Sequence, residues 1–330
     1  VCSLSITDAA QKIAGGELSP VELVDAHLER IHKTDGHLNS FITILETKSK
    51  AAAKAAESDI LSGRYLGPLH GIPIGLKDLY YTKGVRTTMG SKIMANFVPQ
   101  KDAAVTEKLE TAGAIIIGKL QMHEFALGAT SHNPHYGPSH NPWDTGRITG
   151  GSSGGAGSSV SAGQCMGAMG TDTGGSVRIP ACLCGIVGLK PTFGRVSKYA
   201  TFPLSWSLDT AGTLTRTVRD AALMLNAISG YDRRDATSRR KPPEDFTAEL
   251  GRNVSEIRIG IPKEFFFDIL DIQVEKLVTQ ATLVLEGLVG SIDEISLPLA
   301  GQSQSIQSII MSAEGASTHL NVLRQRSKDL

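Results

Sequence analysis

Charge of one sign, cysteine, aromatic residues and long apolar runs are all scarce in this 330-residue chain, and each scarcity removes a class of function. The 33 basic and 33 acidic side chains cancel, which leaves no overall field to gather nucleic acid or an anionic membrane. The four cysteines, Cys2, Cys165, Cys182 and Cys184, form no C-x-x-C pair and no regular ladder. Neither a disulfide framework nor a zinc site is therefore expected. Aromatic residues make up 5% of the chain, and no apolar run approaches the roughly 18 residues that span a bilayer. The first residues, Val1 to Gln11, lack the basic flank and apolar stretch of a secretory signal. The expected setting is a reducing cytoplasm, with no nucleic-acid or membrane partner.

Glycine is what the chain has in excess, and it is clustered: eleven of 35 fall between Gly146 and Ser176. A solvated Gly/Ser linker would carry few apolar residues. This tract holds Val160, Cys165, Met166, Ala168 and Met169, so it is read as folded interior. Around it, helical and strand patterns alternate. Ser19-Pro20-Val21-Glu22 starts a helix whose Val24, Leu28 and Ile31 share a face. A strand over 41–45, a helix over 47–61 and a strand within 66–78 that delivers Lys77 come next. Further on, 102–112 is helical, 114–118 and 184–190 read as interior strands, and 217–229 is an amphipathic helix. A strand, a helix and a strand over 258–262, 271–288 and 292–297 follow. The alternation implies layered α/β architecture in one domain spanning 1–330, with 66–230 as its catalytic core. The chain opens on Val1 and stops inside a helical pattern, so both ends are expected to be trimmed.

Several catalytic motifs are nearly present. Gly113 to Lys119 has phosphate-loop spacing, but Leu120 stands where the magnesium-binding hydroxyl belongs. His123-Glu124 begins a zinc-protease motif whose second histidine would fall at Leu127, and His132, His135 and His140 sit among turn residues as polar surface histidines. No metal and no cofactor are expected. Gly151-Ser152-Ser153-Gly154-Gly155 matches the G-x-S-x-G nucleophile elbow, with Ser153 as nucleophile and His319 as the one downstream histidine. An elbow needs a strand directly before it, however, and 144–150 reads as a loop.

What remains is a glycine turn ahead of Ser176 and an isolated lysine. Consecutive glycines let backbone N–H groups converge on one point, as an oxyanion hole requires. Serine needs a base, and a lysine kept neutral by burial can serve. Lys77 is the candidate, with pairing to Asp78 or to a helix C-terminus as its purely structural alternative.

Gly150-Gly-Ser-Ser-Gly-Gly155, Gly170-Thr-Asp-Thr-Gly-Gly-Ser-Val-Arg-Ile-Pro-Ala181, Cys184-Gly-Ile-Val-Gly-Leu-Lys-Pro191, Gly71-Ile-Pro-Ile-Gly-Leu-Lys-Asp78, Asn141-Pro-Trp-Asp144 and Phe202-Pro-Leu-Ser-Trp-Ser-Leu-Asp209 together resemble the amidase signature family, in order and over residues 4–320. The resemblance implies a central, mostly parallel mixed and twisted sheet covered on both faces by helices. It also implies that C-terminal strands of the family are missing here. It carries over a Ser-cisSer-Lys triad: Ser176 as nucleophile, Ser152 as the bridging serine in a cis peptide linkage with Gly151, and Lys77 as general base. Backbone N–H groups of Thr173, Gly174, Gly175 and Ser176 would form the oxyanion hole, and Ser153, Asp172 and Arg178 would support the loops.

The implied reaction is cleavage of a small carboxylic amide, or of an ester, anilide or carbamate, through an acyl-enzyme. A second copy of the chain is a candidate partner. Met122-His123-Glu124-Phe125 and the segment before Leu208-Asp209 look more like stand-alone bacterial amidases. The glutamine-hydrolysing A subunit of an aminoacyl-tRNA amidotransferase is the alternative, and an α/β-hydrolase using Ser153 and His319 is the remote one.

Overall fold

The computed structural model describes residues 1–242 and 244–329. It divides into two compact units, Val1–Thr247 with Glu314–Leu330, and Ala248–Ala313. The first opens with α1 (Ile6–Ala14) and α2 (Pro20–Leu38). Ser19 Oγ accepts the Val21 and Glu22 amides at the start of α2, with Pro20 in the first turn. This is the start the sequence announces, because proline has no N–H to leave unpaired there. Strand β1 (Phe41–Ile44), α3 (Glu46–Leu61), β2 (Pro73–Lys77), α4 (Ala104–Thr111) and β3 (Ile115–Leu120) follow.

Two short antiparallel hairpins come next: β4 (His132–Asn133) with β5 (Gly137–Pro138), and β6 (His140–Asn141) with β7 (Asp144–Ile148). Residues 144–148, read from sequence as a loop, are thus an exposed strand, paired outside the main sheet. Then come α5 (Gly154–Ser161), β8 (Gly167–Asp172), α6 (Arg178–Leu183), β9 (Val187–Leu189), β10 (Thr210–Thr215) and α7 (Val218–Ile228).

The main sheet runs β1-β3-β2-β8-β10-β9. It is mixed, as expected, but parallel pairing is confined to its centre, β3-β2-β8, and the outer ladders are antiparallel. The segment 184–190 is not an interior strand. Its β9 is three residues long, half-buried, and hydrogen-bonded to β10 alone at the edge. Helices cover the sheet. Val24, Leu28 and Ile31 of α2, Ala53 and Ala56 of α3, and Ala156 and Val160 of α5 form one core with Ile115, Ile117, Ala168 and Leu214 of the sheet. At Gly167 of β8, a Cβ would meet Met224 of α7 and Ile6 of α1.

The second unit holds β11 (Arg258–Pro262) and β12 (Ser291–Ile295), paired in parallel, with α8 (Ile272–Glu286) as the crossover that a parallel pair requires. Helix α9 (Ser303–Thr318) leads from it to α10 (Leu320–Arg326). Among the described residues no helix is long and apolar enough to cross a membrane.

Candidate active site

Lys77 closes β2, in the middle of the sheet, with no exposed surface. Its ammonium nitrogen would be too costly there as a free charge, and its surroundings answer that problem with hydroxyls rather than a carboxylate. Nζ lies 2.7 Å from Ser152 Oγ and 3.0 Å from Thr171 Oγ1. Burial lowers its pKa to about 7, against the fields of Asp209 and Asp172, which act to raise it. The alternative pairing with Asp78 does not occur. Asp78 Oδ1 is 3.3 Å from Lys119 Nζ, and its Oδ2 accepts the amide and hydroxyl of Thr88. Lys119 in turn donates to the Tyr80 carbonyl and the Thr87 hydroxyl.

Ser152 reaches Lys77 from the turn before α5. The Gly151–Ser152 peptide is cis, and the Ser152 carbonyl accepts the His123 amide at 3.1 Å. Gly151 has to be glycine, since a Cβ would sit 2.7–2.8 Å from the amide nitrogens of Ser131 and Thr130. Ser153 is buried and donates to the Thr171 carbonyl at 3.4 Å. His319 is elsewhere engaged, with its ring 4.4 Å from Phe125 and 5.7 Å from Phe202. Ser153 and His319 therefore do not form the pair that the nucleophile elbow would need.

Ser176 lies on the loop between β8 and α6 and is partly exposed. Asp172, buried at the end of β8, organises that loop. Its Oδ1 accepts the Gly175 amide at 2.8 Å and its Oδ2 the Val177 amide at 3.2 Å. Arg178 grips both oxygens, Nε at 3.0 Å and Nη2 at 2.9 Å. Burial alone would push the Asp172 pKa up, but the hydrogen bonds and charge of Arg178 outweigh it and hold the carboxyl below its ordinary value. Asp172 and Arg178 thus meet each other and the backbone of that loop. The expected four-amide cradle is reduced at one position, because the Gly175 N–H is already committed to Asp172. The other three positions of the expected cradle are Thr173, Gly174 and Ser176. Gly175 has φ +126°, a backbone conformation that only glycine adopts without strain.

Sequence reasoning missed Thr171 and Asp209. Thr171 lies inside the Gly170–Ser176 motif, near the end of β8, where its hydroxyl reaches Lys77 Nζ. Asp209 precedes β10, accepts the Thr173 hydroxyl at 2.5 Å, and takes the Leu204 and Ser205 amides on its other oxygen. A cavity of about 180 Å³ is lined by Thr171, Lys198, Phe202, Trp206 and Asp209. A larger one, about 590 Å³, is lined by Cys2, Arg30, Lys33 and Arg216 and includes none of the site residues. The three loop histidines do not converge: His135 faces Glu124 at 3.0 Å, His140 bonds the Thr145 carbonyl, and His132 is exposed. Among the described residues no three His, Cys, Asp or Glu side chains are grouped to hold a metal.

The family model described as Amidase matches residues 22–329, and the chain belongs to that family. It is 44% identical over 317 residues to the A subunit of the glutamyl-tRNA(Gln) amidotransferase from Anaeromyxobacter dehalogenans, covering 96% of this chain and 64% of that one. It is 45% identical over 318 residues to the same subunit from Desulfotalea psychrophila, covering 96% and 65%. The chain thus spans just under two thirds of the length of these curated relatives. Among solved structures, a chain from a vestigial protein complex bearing on the origins of an s-triazine catabolic enzyme superposes with TM-score 0.95 at 36% identity, covering 99% of this chain and 71% of that one. The peptide amidase of Stenotrophomonas maltophilia gives TM-score 0.90 at 31% identity, covering 98% and 68%. These relatives do not support the expectation that this chain stands further from the amidotransferase branch than from the stand-alone amidases.

Proposed function

From its membership of the amidase signature family, and from the Lys77–Ser152 contact, we propose that this chain cleaves carboxylic amides through an acyl-enzyme, with Ser176 as nucleophile, Ser152 as bridge and Lys77 as base. The observation that carries the reading is a fully buried lysine, 2.7 Å from a serine hydroxyl, with its pKa lowered to about 7 by burial. About half of such a lysine is neutral at pH 7, against roughly one part in three thousand of an ordinary one. Neutral Lys77 takes the Ser152 proton, Ser152 takes that of Ser176, and Ser176 attacks the carbonyl. The backbone N–H groups of Thr173, Gly174 and Ser176 face the developing oxyanion. The relay then returns a proton to the leaving amine, and water enters by the same route to release the acid. Ser153 contributes by tying the bridging turn to β8.

Two substrate readings follow. The curated relatives favour glutamine hydrolysis as one component of an amidotransferase, which feeds ammonia to a partner. The likeness to the peptide amidase favours direct hydrolysis of a small amide, with ester, anilide and carbamate bonds as further targets. We adopt the first, because the sequence identity is higher, 44% against 31%, at comparable coverage of this chain. Glutaminase activity that appears only with a partner subunit is the expected result. A lone chain that hydrolyses other amides and ignores glutamine would overturn it in favour of the second. For the chemistry common to both, Ser176→Ala abolishes turnover and prevents labelling by a fluorophosphonate; labelling at another serine would refute the assignment.

A further inference from the structure

The ladder between β8 and β10 sets Thr210 opposite Asp172. The residues just outside that pair, Asp209 and Thr173, therefore flank the same end of the sheet, and their side chains meet: Thr173 Oγ1 donates to Asp209 Oδ1 at 2.5 Å. The other oxygen, Oδ2, accepts the Leu204 and Ser205 amides at 2.9 and 3.0 Å. One buried carboxylate thus ties the start of the loop that carries Ser176 to the loop that precedes β10. We infer that Asp209 is a positioning residue of the amide-cleaving site, fixing Thr173 through its hydroxyl and setting the electrostatic environment in which Lys77 works. The inference rests on the reading of Lys77 as base.

Asp209 does two separable things. Its first contribution is geometric. Asp172 already holds Gly175 and Val177, and Asp209 adds a hold on Thr173, whose N–H belongs to the proposed oxyanion cradle. Its second contribution is charge. The ionisable groups whose fields couple to Asp209 are Lys77 on β2, Tyr80 beyond it, and Lys198. Asp172 acts on Lys77 in the same sense, and Glu314 and Asp235 act on Lys198. Burial pushes the Asp209 pKa up, and the Thr173 hydroxyl and two amides oppose that rise. A negative charge here favours the ammonium form of Lys77. Asp209 therefore moderates how readily the lysine becomes a base.

The test is the pH dependence of fluorophosphonate labelling of Ser176 in the whole chain, which needs no identified substrate. Wild type is expected to label with a rate that rises through an inflection near pH 7. Asp209→Asn keeps the shape and removes the charge, so its inflection moves down by about one unit. Asp209→Glu returns the inflection toward the wild-type value. Thr173→Val keeps the charge and removes the tether, so labelling slows about tenfold while the inflection stays in place. An unmoved inflection in Asp209→Asn, or an unslowed Thr173→Val, overturns the inference. If Asp209→Asn does not fold, Thr173→Val decides: labelling that is not slowed, or an inflection that moves although the Asp209 charge is still in place, overturns the inference. Wild type that labels Ser176 with no inflection in the neutral range defeats the lysine reading itself, a separate outcome.

Discussion

Replacing Lys77 by methionine separates the chemistry from the stability of the site. In the unfolded chain the lysine ionises near its ordinary value of 10.5, and in the folded protein burial lowers that to about 7. A depressed lysine pKa opposes folding wherever the unfolded chain binds the proton and the folded one does not. Stability therefore falls as pH drops from the unfolded value toward 7 and levels off below it. The full shift corresponds to about 5 kcal/mol, of which about 4 is felt at pH 7 and about 1 at pH 10. Methionine removes this penalty but leaves the Ser152 and Thr171 hydroxyls without their nitrogen partner, at about 1 kcal/mol each. The balance favours Lys77→Met by about 2 kcal/mol at pH 7, a rise of about 3 °C in Tm for a chain of this size. It disfavours the variant by about 1 kcal/mol at pH 10. Activity is absent at both. Urea unfolding of both proteins in matched buffers reads the difference and cancels all other titrations. A variant equally destabilised at pH 7 and pH 10 would refute the reasoning, because it would mean the lysine is charged in the folded protein.

Three further outcomes follow from the geometry. Lys119→Met leaves Asp78 buried without its cation and is expected to cost about 3–5 kcal/mol by urea unfolding; Asp78→Asn in the same chain should recover part of this, and no recovery would disprove the pairing. Gly155→Ala drives a Cβ to within 2.4–2.6 Å of the Ser40 carbonyl oxygen and the Gln121 backbone, which cannot yield as a side chain would. A loss of about 3 kcal/mol in stability is expected, and a silent substitution would show that α5 can move off β3. His319→Ala removes a ring packed against Phe125 and Phe202 and should reduce turnover less than Ser176→Ala by a factor of about 100 or more; a loss as deep would restore a histidine to the mechanism.

The parts of this fold that carry large apolar side chains were legible. Helix α2 announces itself by a capping serine, a proline in its first turn and apolar residues at helical spacing. Strands β2 and β3 announce themselves by short apolar runs between glycines. Lys77 stood out because a charge in an apolar strand demands a reason. The core of the site, by contrast, is written in small residues that carry no periodicity. Helix α5, Gly154–Ser161, has three glycines, one alanine and three serines in eight positions, which reads as a loop on any propensity scale. Strand β8 is Gly-Ala-Met-Gly-Thr-Asp, with no alternation to follow.

Those small residues are the reason the site closes. Gly155 brings α5 against the backbone of Ser40 and of Gln121, just past β3, at a separation where any side chain would collide, and Gly157 sets it tightly against Pro180 of α6. Gly170 of β8 does the same, since a Cβ there would lie 2.8 Å from Ser153 Oγ. Only at that approach can the turn before α5 lower Ser152 onto an amine buried in the neighbouring strand. Tertiary packing thus overrides helix propensity here because the alternative, larger residues with better local preference, would hold the serine away from the lysine. The glycine cluster is a measure of how close two backbones must come. It follows that single glycine-to-alanine changes at 155 and 170 should damage activity and stability together, whereas Gly63, which closes α3 in open space, should affect stability alone and only modestly.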